Sequence, residues 1–467
     1  MTVVLDGGSL TLDELVSVAR AREEVELAPA ALEAMGRARE IARDVIERGE
    51  AYGLTTGVGV HKRARVEAVG HDRLLVEQHL IAQGPVAPHD VVRATALRLA
   101  NALAQGSTAA RPELAQHVVE RLNTDRLPEI RRLGSVGQSD LAAMADLARG
   151  LLDGFELEQG EAIALLNQSA FATGWAALAV ADAIVLLDAL DVAGALDLEA
   201  FGASEALLDP AIGVLRPYPG LRVTLERLGE LVAGSGRSRR NLQDPLVFRT
   251  LPQVHGAARD AFAFVRQQLE IELNAAQTNP VVTPDGRVIS VGAFEILPLA
   301  TALDLARLAL APALTSGCER AVKLLQAPLT GLPEGLGARA GLAESALSEL
   351  GIAIQAFAAE ARLLALPVSL ELVSTTQAEG IEDRTTMAPL AARRLAEMVE
   401  LGSRVVAVEL LLAAQACELR RARLGDGTAR AHALVRSVAP FVAEGDPLPE
   451  LEPLVGLVGS GRLGEIR

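Results

Sequence analysis

The chain has 467 residues, half of them apolar, 3% aromatic and 22% charged, which excludes a disordered chain. Its only two cysteines, Cys318 and Cys417, exclude a disulfide scaffold and a four-cysteine zinc site. A net charge of −16 and a pI of about 5.1 argue against nucleic acid and anionic membranes as partners.

Helix-forming residues dominate from the start of the chain. Thr11 caps a first helix, with Glu14 completing a capping box; a second runs to Arg48 and is stopped by Gly49. Met1 to Arg20 shows no basic and apolar leader pattern, so the expected location is the cytoplasm. Further helices are expected at 90–105, 112–124, 139–153, 160–198 and 221–234. The longest follow at 260–273, 297–325, 343–364 and 389–424. The most apolar run, 175–198, holds Asp182, Asp188, Asp191 and Asp197, a costly set in lipid, and so reads as a buried core helix. Residues 303–311 are apolar nearly all round and need other helices to enclose them. One chain seldom supplies enough helices for that, which favours an oligomer over a large monomeric α-domain. Val281-Val282, a turn at 283–286 and residues 287–290 read as a short hairpin. Length suggests about three pieces: 1–200 with the site loops, 201–425 as a long-helix bundle, and a tail at 426–467.

Three loop strings stand out from the Ala/Leu background. In Ala51-Tyr52-Gly53-Leu54-Thr55-Thr56-Gly57-Val58-Gly59, a tyrosine among glycines is a general acid or base if its pKa is lowered, or a ring that packs a loop on a helix. In Gly134-Ser135-Val136-Gly137-Gln138-Ser139-Asp140, glycines precede a helix start that binds an anion or is simply capped by Ser139. In Asn241-Leu242-Gln243-Asp244-Pro245-Leu246-Val247-Phe248-Arg249, the arginine is a carboxylate anchor or a surface ion pair. The seven histidines show no i,i+4 pair flanking a glutamate, and no phosphate-cradling glycine loop follows a strand, so no metal and no cofactor is expected.

In order, these strings resemble the aromatic amino acid ammonia-lyases, the histidine and phenylalanine enzymes. The resemblance also takes in Gln78-His79, Arg98-Leu99-Ala100-Asn101, Ala164-Leu165-Leu166-Asn167, Glu272-Leu273-Asn274 with Thr278-Asn279-Pro280, and Glu382-Asp383. It implies a mainly α fold of the fumarase/aspartase type and a homotetramer whose active sites are shared between subunits. It also implies that Tyr52 is the base, Arg249 the carboxylate anchor, Asn167 and Gln243 polar substrate contacts, His79 part of the ring pocket, and Glu382 a carboxylate near the amine.

The departures cluster where the family builds its electrophile. Methylidene-imidazolone forms from an internal Ala-Ser-Gly, the glycine nitrogen attacking the alanine carbonyl. This chain has Gln138-Ser139-Asp140, one residue short and with no glycine after the serine. An Asp140 Cβ crowds the attacking nitrogen, so the group is expected to be absent. The family's tyrosine after Gln-Asp-Pro is Leu246; its Gly-Asn-Phe-His/Gln is Gly292-Ala293-Phe294-Glu295; its Glu-Asp-His is Glu382-Asp383-Arg384. Glu295 is either a second proton-transfer carboxylate, with Glu382 close enough for mutual repulsion to raise one pKa, or half of an ion pair with Arg384.

Without the electrophile, ordinary acid–base help of about 10²–10⁴-fold per group does not expel ammonia. The expectation is an enzyme that uses Tyr52 with Glu382 and Glu295 on a small carboxylated, amino-acid-derived substrate, by elimination, isomerisation or conjugate addition and cyclisation. A ligand-binding protein without catalysis and a true ammonia-lyase are the alternatives.

Overall fold

The computed structural model describes residues 2–66, 70–341, 345–370 and 377–466. Helix accounts for 61% of it and strand for 4%. Two compact units make up the chain: residues 1–181, 265–304 and 367–393 in one, and 182–264, 305–366 and 394–467 in the other. Both are discontinuous, whereas the division expected at 200 and 425 followed chain order.

In the first unit, Thr11 caps helix Leu12–Val16 with the capping box read from the sequence. Strand Val25–Leu27, not foreseen, follows and pairs in parallel with Val3–Leu5. Helix Pro29–Arg48 then ends at Gly49. Helices His89–Ala104, Pro112–Asn123 and Leu141–Leu151 lie where periodicity put them. The hairpin forms with Val281 opposite Ile289 and Val282 opposite Val288.

The continuous helix expected at 160–198 is instead two, Glu161–Leu166 and Ala170–Phe201. Polar residues Asn167, Gln168 and Ser169 separate them. Asn167 has ψ of 61°, outside the helical range. Its amide donates to the Asn279 carbonyl at 2.7 Å, a partner 112 residues away that local periodicity does not see.

Two helices were drawn short or long. Leu251–Leu273 begins nine residues earlier than expected, and the next-to-last long helix is Leu350–Leu364, its expected start at 343 lying outside the described residues. Leu297–Leu324 and Ala388–Arg420 match closely. Leu297–Leu324 is long and apolar enough to cross a membrane, by length and composition alone, though 56% of its apolar window is buried in the protein.

Asp191 and Asp197 of the most apolar helix have partners in the second unit. Asp191, fully buried, accepts from His255 Nδ1 at 2.8 Å and from Arg259. Asp197 accepts from the buried Arg320 at 2.8 Å, and Arg320 also binds Glu409 at 2.6 Å. Two carboxylates share one guanidinium there. Burial, with Glu409 adding to it, drives the Asp197 carboxyl well above its ordinary range.

Candidate active site

The first unit carries the Tyr52 loop. Leu54 and Thr55 N–H groups donate to the Ala51 carbonyl at 3.1 and 2.9 Å, coiling the loop tightly. Gly53 and Gly59 take positive φ of 71° and 57°, which a side chain would resist. The Gly59 N–H donates to the Tyr52 hydroxyl at 3.1 Å. Burial pushes the phenol above its ordinary value; the Gly59 contact opposes this, and the Glu382 carboxylate adds to the rise. The lowered pKa that a resting base requires is therefore not what the free site provides. Lys62 pairs with Glu379 at 2.7 Å, joining the Tyr52 loop to the segment that leads to Glu382. Glu382 is itself raised, first by burial and then by Asp383.

In the 138–140 segment Gln138 is half-buried, and Ser139 and Asp140 are buried. Ser139 is 2% exposed with φ of 59°. It does not cap the helix that follows; Asp140 holds that position, and the Ser139 hydroxyl donates to the Asn167 side-chain carbonyl. A positive φ turns Ser139 away from the helix axis, and no sequence pattern marks it. The Asp140 amide donates to the Gln168 carbonyl at 2.8 Å. Its carboxylate, 0% exposed, accepts from the Ala172 N–H at 2.7 Å, in the first turn of helix Ala170–Phe201. Burial outweighs these backbone donors and lifts the carboxyl to about 7.

The segment is also zipped to residues 384–387. Met387 N–H donates to the Val136 carbonyl at 3.0 Å, Thr386 Oγ1 to the Gly137 carbonyl at 2.9 Å, and the Gln138 side-chain amide to the Arg384 carbonyl. A Cβ at Gly137 would lie 2.0 Å from Thr386 Oγ1, and φ there is 82°, so only glycine fits.

Arg384 Nε donates to Glu295 Oε2 at 3.0 Å, so the ion pair foreseen as the alternative role of Glu295 is present. What raises Glu382 is burial and Asp383, not repulsion by Glu295. Phe294 is half-buried and its carbonyl accepts from Ser169 Oγ at 2.9 Å. His79 ends helix His71–Gln78; its Nδ1 donates to the Leu75 carbonyl at 2.7 Å, which leaves Nε2 as the ring's other polar atom. Among the described residues, no hydrogen bond joins His79 to the other candidates.

Gln243, Leu246 and Arg249 belong to the second unit. Gln243 is exposed and Leu246 is 61% exposed. Arg249 Nε donates to the Asp244 carbonyl at 2.7 Å, while the buried Asp244 carboxylate accepts from Ser204 N–H at 2.8 Å and Asn241 at 3.2 Å. Sequence reasoning missed the Lys62–Glu379 pair and the Asp140 carboxylate's hold on helix Ala170–Phe201. Both are long-range contacts with no local signature.

A family model described as aromatic amino acid lyase matches residues 10–154 and 152–437. The chain belongs to the aromatic amino acid lyase family. The histidine ammonia-lyase of Symbiobacterium thermophilum is 35% identical, over 99% of this chain and 98% of its own. Among solved structures, ergothionase from Treponema denticola, an ergothioneine-degrading enzyme, is 25% identical with a TM-score of 0.92 and 100% of both chains covered. Histidine ammonia-lyase from Trypanosoma cruzi is 28% identical with a TM-score of 0.90, covering 99% of this chain and 94% of that one. The fold is therefore the fumarase/aspartase-like one, and the chain is a member of an enzyme family.

Proposed function

We propose that this lyase-family member works without methylidene-imidazolone, eliminating an amine that leaves more easily than ammonia from a small amino-acid-derived carboxylate. The observation that carries the reading is the state of Asp140. The family's ring closes when the third residue's amide nitrogen attacks the first residue's carbonyl. Here that nitrogen donates to Gln168, and the side chain beside it is buried and tied to Ala172 N–H. The Ser139 hydroxyl that dehydration would remove is bonded to Asn167. Residues 138–140 do not fit the group.

The retained groups suit proton transfer. The Tyr52 phenol and the Glu382 carboxyl both sit above their ordinary values, chiefly through burial. A cationic nitrogen entering between them lowers both, turning the phenol into a base as substrate binds. The Treponema relative degrades ergothioneine, a compound whose chemical structure is that of a histidine-derived betaine. Its trimethylammonium nitrogen leaves as a neutral amine and needs no electrophile to activate it. An amino-acid betaine is the substrate class we assign, taken by a cytoplasmic homotetramer whose active sites are shared between subunits, with Gln243 and Arg249 as proposed substrate contacts.

The test is turnover of histidine, phenylalanine and tyrosine beside their trimethylated betaines, including ergothioneine, by wild type and Tyr52→Phe. Release of trimethylamine from a betaine by wild type alone is expected. Deamination of a free amino acid contradicts the reading, as does a Tyr52→Phe variant with near-normal rates. A betaine that raises the melting temperature of wild type without being consumed favours a binding protein.

A further inference from the structure

Gln138, Glu295 and Arg384, three positions where the chain departs from its family's pattern, form one connected set. The Gln138 amide holds the main-chain carbonyl of Arg384, and the guanidinium of Arg384 meets Glu295 Oε2 at 3.0 Å. Glu295 is fixed from its other side as well. Its Oε1 accepts from the Leu297 N–H at 3.0 Å, at the start of helix Leu297–Leu324, and its own N–H donates to the Gly292 carbonyl at 3.0 Å. The Met387 and Thr386 contacts to Val136 and Gly137 keep the two segments side by side. The uncharged Gln138 side chain joins the set through backbone, at the Arg384 carbonyl.

We infer that Gln138 is a positioning residue, which fixes the backbone at 384 so that Arg384 covers the Glu295 carboxylate. Alanine, the family's residue at this place, has no amide to donate, and asparagine is one methylene shorter. The consequence for the site is a division of labour. Glu295 is occupied by its counter-charge and by Leu297 N–H, which leaves Glu382 as the carboxyl open to substrate. That last step rests on the function proposed above; the Gln138–Arg384–Glu295 coupling does not.

The test reads the chemical state of Glu295 directly, by carbodiimide-driven amine labelling of the full-length protein followed by peptide mass spectrometry. Arg384→Met sets the level for an uncovered Glu295, with a rise of about two- to five-fold over wild type expected for a partly exposed pair. Gln138→Met, close in length but without a donor, is expected to reach at least half of that rise, and Gln138→Ala likewise, with Glu382 labelling unchanged. Wild-type labelling of Glu295 in the Gln138 variants overturns the inference. So does an Arg384→Met variant that labels like wild type. A rise at Glu295 matched at the fully buried Glu161 also counts against it, because that is general loosening. An electrophile formed at 138–140 would appear in the protein's mass and not in this ratio, so the two readings fail separately.

Discussion

Tyr52 is the base in the chemistry proposed above, and its surroundings set a sign. Burial and the Glu382 charge hold the phenol above its ordinary value, so the free enzyme is protonated there at neutral pH. Since kcat/KM reports ionisations of the free enzyme, it should climb with pH to beyond about 10 if Tyr52 is the base. A profile that levels off between pH 6 and 7, on the order of a histidine's range, would assign the base elsewhere. Identities at this scale were well marked in the sequence. Tyr52, Asn167 and Glu382 stand in recognisable strings, and the oddity of 138–140 is visible as a missing glycine. Conformation was not marked. Ser139 read as a helix cap because serine before a helix usually is one; its φ of 59° and its bond to Asn167 come from the fold around it. The direction of the Tyr52 shift was equally hidden, because burial is a property of the assembled unit.

At the scale of elements, Asp140 links two helices: it opens Leu141–Leu151 and its carboxylate takes the Ala172 N–H of Ala170–Phe201. Its folded pKa, raised from 3.8 to about 7, means that folding takes up a proton between those values. The stability this gives is full below 3.8 and lost as pH rises through about 7. Wild type should therefore melt at a lower temperature at pH 8 than at pH 5. Asp140→Asn keeps an oxygen for Ala172 and cannot titrate, so its melting temperature should fall less over that interval than that of wild type. A wild-type midpoint that rises with pH would mean that the backbone donors, not burial, control the group. The zipper at 136–138 makes a second prediction. Gly137→Ala should destabilise by about 2 kcal/mol or more, since it meets both a forbidden φ and Thr386 Oγ1. Thr386→Ala added to it should recover part of the loss in a thermal melt, because the clash goes and the strained φ stays. Most helices were legible because 3.6-residue periodicity survives burial. The break at 167–169 was not, because Asn279 lies far away in sequence.

For the whole molecule, the apolar faces are unevenly covered. In the second unit Ile352 and Leu363 on helix Leu350–Leu364 are 66% and 67% exposed, and Leu305 and Leu308 on Leu297–Leu324 are 40% and 48% exposed. Large apolar side chains at such positions are expected at subunit contacts. In the homotetramer proposed above, Ile352→Asp with Leu363→Asp should lower the assembly state while leaving the helical circular dichroism unchanged. A wild-type monomer would refute the shared-site arrangement. The expectation of partners comes from helices apolar on every face in the sequence; which apolar side chains are exposed required the coordinates. The account as a whole depends on the backbone at Gln138, Ser139 and Asp140 being ordinary peptide. The intact mass of the purified, denatured protein measures this directly. The expected result is the mass of the unmodified 48.9 kDa sequence; a deficit equal to two water molecules, mapped to the peptide holding 138–140, would contradict it.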